Sequence, residues 1–337
     1  MDWFERLTGF PEAGYSATRK RLAVEGLQLV SLANDRRYAT GDLELVSLQT
    51  LRARAQAAGP LPGTLKVRNI TADVRSLHLA PELAGALFQV ASQFNLLEMV
   101  SPEVTPEHGV TRYQHDRTQG PACAIAAGAA TLYRNYFAPV AGEAGQTRDR
   151  QLDGLADIGG ALAAALDQPM DALWAMRNGY ALYTQQGLAA IAGHLRELDE
   201  PARDELRCLL RMGVHRDVEV TDGDGPPYQS VSQAFCSALP VAYSALPAPQ
   251  WQPFAQLVLD AAYEATLLAA LLNAHRGASN IVLLTRLGGG AFGNDGRWID
   301  AAMHRALAQV ADCALDVRIV NYGAPSVSMI ELERAFS

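Results

Sequence analysis

At Ile281–Leu284 four aliphatic residues stand in an unbroken row and run into a cluster of glycines. A short continuous apolar run fits a strand covered on both faces. Past the glycines, Ile299, Ala302, Met303 and Leu307 repeat at three- and four-residue steps, so a helix is expected over 295–311. The same alternation surrounds this segment, with a long helix over 252–275, the strand over 280–285, and a further strand at Asp316–Asn321. Strand and helix in turn predict an α/β fold with at least partly parallel strands. Upstream, 87–92 reads as a buried strand and 64–67 as a short one, while 214–221 and 230–243 form two more joined by a turn at 222–227.

Between 151 and 212 the spacing becomes helical, with helices expected at 152–166, 170–177, 181–198 and 201–212. Asn178-Gly179-Tyr180 reads as the stop of the second of these, and the whole block as a helical insertion at about 150–212. Residues 1–62 form an expected N-terminal extension, ahead of one large domain over 63–337. Within the extension, 37–46 suits a hairpin about Gly41-Asp42, and 47–58 a helix with a serine start. The Pro/Gly stretch 59–63 closes it as a turn or linker. Tyr133, Tyr136 and Phe137 suggest an aromatic strand. From Gln93 to Gln119 no period is visible, and a loop of that length is usually functional or mobile.

Composition narrows the class. Hydrophobic residues make up 49% and charged residues 19%, which suits a globular chain. Its 28 Lys+Arg against 36 Asp+Glu give a net charge of −8, so broad binding along a nucleic-acid backbone is not expected. Cys123, Cys208, Cys236 and Cys313 lie far apart with no metal-ligand spacing, so reduced thiols and no metal are expected. The opening MDWFERLTGF lacks an apolar core, and the apolar stretch 255–272 carries Gln256, Asp260 and Glu264 on one stripe. A cytoplasmic protein without a membrane span is the expectation, and no cofactor is called for.

The glycine loop carries the clearest chemistry. Gly288, Gly289, Gly290, Ala291, Phe292, Gly293 and Asn294 lie between a strand and a helix start, where backbone N–H groups and the helix dipole favour an anion. The spacing matches neither the Walker loop nor the dinucleotide-binding fingerprint. Phe292, with glycines on both sides, would stand exposed unless a ligand stacks on it.

The segment LLTRLGGGAFGN with its helix resembles the second ligand loop of the macro-domain superfamily, nearest the bacterial-type poly(ADP-ribose) glycohydrolase branch with its GCGAFGN-like loop. Phe88 to Asn95 is similar to the LNFASAKN segment that opens that family's first loop. The resemblance implies a macro-domain-like mixed sheet flanked by helices, and a loop that wraps the diphosphate and distal ribose of ADP-ribose. It also implies that Asn95 approaches the ribose and that Gln119 begins the counterpart of the QEE catalytic triplet. The chain departs from the family at two places. Leu96-Leu97-Glu98-Met99 stands where a GGG run is expected, and Gln119-Gly120-Pro121 where QEE is expected.

Cleavage at a ribose needs an acid for the leaving group and stabilisation of oxocarbenium-like charge, both of which carboxylates supply. With the family's glutamates absent, Glu98 and Asp116 are the candidates, with Arg112, His115 and Arg117 as neighbouring charges. The expected function is binding of ADP-ribose or a related nucleotide diphosphate, with hydrolysis of an ADP-ribosyl linkage. The expected partner is that small molecule or an ADP-ribosylated macromolecule. The alternatives are a non-catalytic ADP-ribose-type reader, or a structural or partner-binding protein with a vestigial cleft.

Overall fold

The computed structural model describes residues 1–223 and 225–336, so Asp224 within the expected 222–227 turn lies outside the described residues. Its centre is a seven-stranded mixed sheet flanked by helices, as the α/β reading requires. In chain order the strands are β1 (Asp42–Ser47), β2 (Lys66–Thr71), β3 (Leu87–Ala91), β4 (Arg211–Glu219), β5 (Ser230–Cys236), β6 (Ile281–Leu284) and β7 (Asp316–Asn321). Across the sheet they run β1-β4-β5-β3-β6-β7-β2. The pairs β1–β4 and β4–β5 are antiparallel, while β5–β3, β3–β6, β6–β7 and β7–β2 are parallel.

Both faces of the parallel part are covered, which accounts for the unbroken aliphatic runs. Val282 and Leu284 of β6, with Ala234 and Cys236 of β5, face a core built on the long helix Ala248–His275 and on Gly296–Gln309. Leu283 and Phe235, one residue out of step, face a second cluster with Phe88, Val90, Cys123 and Ala130. The sheet begins inside the stretch 1–62, because β1 pairs with β4 and the helix Leu48–Ala58, capped by Ser47, packs on the long helix.

Several local expectations are corrected. Arg37–Ala39 pairs with Gln28–Ser31 and β1 pairs with β4, so 37–46 joins two different sheets and makes no hairpin. The supposed aromatic strand belongs to the helix Gly128–Tyr136. In the insertion, Trp174–Arg177 and Tyr180–Tyr183 form an antiparallel hairpin between the helices Met170–Leu173 and Gln185–Glu197. Asn178 and Gly179, both with positive φ (48° and 78°), are its two-residue turn, the geometry that suits the right-handed twist of paired strands.

The helix Ala248–His275 has the length and apolar composition of a membrane span, but it is packed inside the fold, and its polar stripe holds ion pairs. Glu264, almost fully buried, bonds Arg52 and, at 2.6 Å, Arg305, while Asp260 meets Arg207 at 3.2 Å. Burial raises the Glu264 pKa, yet the hydrogen bonds from Arg52 and Arg305 outweigh it and hold the carboxyl below its usual range. Glu264→Ala leaves two guanidinium groups short of a partner and is expected to cost about 3 kcal/mol in urea unfolding at neutral pH. Because the folded pKa is depressed, that contribution is present above the unfolded value and is lost as the pH falls through the folded one. A loss under about 0.5 kcal/mol would mean that the network is solvated and adds nothing.

Candidate functional site

β3 and β6 lie side by side and parallel, and the chain leaves their carboxyl ends in opposite directions across the sheet. A crevice outside the carboxyl ends of such strands is where open α/β sheets hold ligands. Here it is a cleft of about 360 Å³ between the loop after β3 (92–118) and the glycine loop after β6. Asp73 after β2, Tyr180 from the insertion hairpin, and Tyr243 from the segment after β5 complete its wall.

The root of the glycine loop is pinned by buried polar side chains. Gln89 on β3 accepts from the Thr285 N–H at 3.1 Å and donates to Thr266 at 3.0 Å. The Tyr263 hydroxyl donates to the Thr285 carbonyl at 2.7 Å and accepts from the Leu287 N–H at 2.9 Å. Gly288 then turns with φ of +73°, where a Cβ would lie 2.4 Å from that of Ala238, so only glycine fits. The loop closes on itself through Gly289 N–H to the Arg286 carbonyl at 3.0 Å and Asn294 N–H to the Gly288 carbonyl at 2.9 Å. Among the described residues the amides of Gly290, Ala291 and Phe292 have no internal acceptor, and all three residues line the cleft. Consecutive N–H donors without an internal acceptor are the chemistry from which anion sites are built.

Opposite them, Glu98 reaches the cleft from the first loop with its side chain only 1% exposed. Oε1 lies 3.4 Å from the Nη2 of the fully buried Arg134, whereas Oε2 has no hydrogen-bond partner among the described residues. Arg134 is itself fixed by the Leu96 carbonyl at 3.1 Å, by Thr131 Oγ1 at 3.0 Å, and by stacking over Phe235. Burial lifts the Glu98 pKa to about 7, against the lowering influence of Arg134 and Tyr113. Glu98 also lies close to the start of the helix Gln119–Ala126, at Gly120. A Cβ there would meet the Ala91 carbonyl at 2.0 Å and Glu98 Cγ at 3.0 Å. No side chain fits at Gly120 without displacing the end of β3 or the Glu98 side chain.

The remaining expected site residues divide. Asp116 and Gln119 line the cleft with Gly288, Gly290, Ala291 and Phe292. Asp116 accepts from Thr118 N–H and Oγ1 at 2.8 and 2.7 Å, and so organises the start of the helix Gln119–Ala126. Gln119 bridges the end of β3, accepting from the Ala91 N–H at 2.8 Å and donating to the Gln89 carbonyl at 2.7 Å. Asn95 is corrected. It is fully buried behind the cleft, donates to Gln151 at 2.8 Å and accepts from the Leu97 N–H at 3.1 Å, so its amide braces the loop.

Gly289, Gly293 and Asn294 do not line the cleft; the Asn294 amide donates to the Leu239 carbonyl at 2.8 Å and shapes the loop from behind. The expected exposure of Phe292 is also corrected, because it packs against Tyr180 at 5.3 Å and Tyr243 at 5.7 Å within the protein. Tyr180 was not legible as a cleft residue, although Asn178-Gly179 is the standard signal for the hairpin that carries it. Arg286, Asp73 and Tyr243 carried no such signal, since only the sheet order brings them to this edge.

No protein-family model matches the chain, and no curated protein matches it significantly. Among solved structures it is similar to poly(ADP-ribose) glycohydrolase from Deinococcus radiodurans in complex with ADP-ribose, at 14% identity and a TM-score of 0.43, covering 87% of this chain and 92% of that one. It is also similar to poly(ADP-ribose) glycohydrolase from Thermomonospora curvata bound to the inhibitor ADP-HPD, at 13% identity and a TM-score of 0.42, covering 95% and 94%.

Proposed function

We propose that the cleft binds ADP-ribose or a related nucleotide diphosphate and that the protein hydrolyses an ADP-ribosyl bond with Glu98 as the acid. The observation that carries this reading is the pairing of a buried carboxyl, one oxygen unpartnered, with three free amides across one cleft. The amides of Gly290, Ala291 and Phe292 take the diphosphate, with exposed Arg117 on the facing rim as a second charge. The aromatic group of Tyr180, Tyr243 and Phe292 offers a π-face to a base. Glu98 gives its proton to the departing oxygen as the ribose C–O bond breaks. Asp116, whose Oδ2 is not used by Thr118, orients the water that adds to the ribose and takes its proton. The loss of both QEE glutamates favours a second reading, a reader that binds without turnover.

Calorimetric titration with ADP-ribose tests both readings, and binding at micromolar concentrations is expected. No heat at millimolar ligand would remove them together and leave a structural role for the cleft. Incubation with ADP-ribosylated protein, followed by release of free ADP-ribose, separates hydrolase from reader.

A further inference from the structure

The first loop is held from outside by the N-terminal segment. Glu12 accepts from the Val110 and Thr111 N–H groups at 2.9 and 2.8 Å, and from the Tyr136 hydroxyl at 2.7 Å. Trp3 Nε1 donates to the Thr111 carbonyl at 3.2 Å. These bonds fix the short turn Thr111–His115, on which Tyr113 is fully buried and accepts from the Glu98 N–H at 3.1 Å. Leu97 and Met99, the neighbours of Glu98, share one apolar cluster with Trp3, Phe4, Leu7, Phe10 and Tyr113. No other carboxylate accepts from the Val110 and Thr111 amides among the described residues, so Glu12 is the charged anchor between the N-terminal segment and the turn that carries Tyr113.

We propose that Glu12 is a positioning residue for Glu98, acting through the 110–113 turn and the Tyr113 hydroxyl. This inference rests on the assignment of Glu98 as the acid. A loop of this length has little regular structure to hold it, so its alignment depends on such anchors. Without Glu12, two amides and a phenol lose their acceptor and the Tyr113 hydroxyl moves away from the Glu98 backbone. A misplacement of about 1 Å costs on the order of 100-fold in rate, whereas the amides of the second loop do not move.

Glu12→Gln, which keeps one acceptor oxygen but sets an NH2 against an N–H donor of the turn, is expected to lower kcat by roughly 10- to 100-fold while KM changes less than about twofold. Glu98 is faced by Arg134, Tyr113 and Cys123, and its carboxyl can be followed by ¹³C NMR in ligand-free protein. Water admitted by the loosened loop should bring its midpoint down by about one unit in Glu12→Gln. Tyr136→Phe, which removes only the phenol bonded to Glu12, should shift both readouts the same way by less, and it serves if Glu12→Gln fails to fold. A folded variant with unchanged kcat and an unchanged Glu98 midpoint would overturn the proposal. If the wild-type protein binds ADP-ribose but releases none from a modified protein, hydrolysis fails, and the Glu98 midpoint alone then decides the role of Glu12.

Discussion

Glu98→Gln is expected to lower release of ADP-ribose by roughly 10²- to 10⁴-fold while ADP-ribose binding stays within about threefold of wild type. The variant is conservative because burial places the Glu98 carboxyl at about 7, so near neutrality much of it carries its proton and has the shape of an amide. Arg134 keeps its bonds to the Leu96 carbonyl and Thr131, and gives up only a 3.4 Å contact. An amide, however, cannot give a proton to a departing oxygen. The pH dependence has a definite sign. The folded pKa lies above the unfolded 4.5, so the proton-donating form is full at low pH and half gone at about 7. Turnover should fall about tenfold per unit above that midpoint, and this limb should vanish in Glu98→Gln. Stability follows the same linkage, because the contribution of this group is complete below 4.5 and is lost as the pH rises through 7. Equal turnover in wild type and variant would end the assignment.

The parts of this site differ in how far the sequence reveals them, for physical reasons. The four aliphatics of β6 and the glycines after them are legible because local backbone demands and two-sided burial act on adjacent residues. Glu98 could be chosen as a candidate for its chemistry, but its burial could not, since the atoms around it come from Tyr113, Gly120 and Arg134 in other elements. Asn95 shows the converse. Its place just past β3 suggests a ligand contact, yet Gln151 from the insertion occupies its amide, and no local pattern announces that partner. The hairpin at 174–183 is hidden in the sequence for a different reason. Short apolar runs do not distinguish strand from helix by period, and an Asn-Gly pair such as Asn178-Gly179 suits a helix end as well as a hairpin turn.

Gly290→Val is expected to weaken ADP-ribose binding by at least about 100-fold without unfolding the protein. Two positions of one loop separate these effects. Around Gly290 none of the described residues lies within 4 Å of where a Cβ would stand, and its backbone is outside the left-handed region, so a Cβ is accepted there without strain. Gly290 lines the cleft, so the added bulk is expected to crowd the free amides of Gly290, Ala291 and Phe292. Keeping a diphosphate from those donors removes two or three charge-assisted hydrogen bonds, each worth about 1.5–3 kcal/mol, and about 2.7 kcal/mol already corresponds to 100-fold. Thermal unfolding should change little, as for a substitution whose Cβ is accepted without strain. Gly288→Ala reverses the pattern. Its φ of +73° and the 2.4 Å approach to Ala238 require backbone movement, so it should lower Tm before any ligand is added. Calorimetric titration beside thermal melts of the two variants reads both effects. Wild-type affinity in a folded Gly290→Val would place the phosphates elsewhere and leave Arg117 and the aromatic wall as the remaining means of holding the ligand.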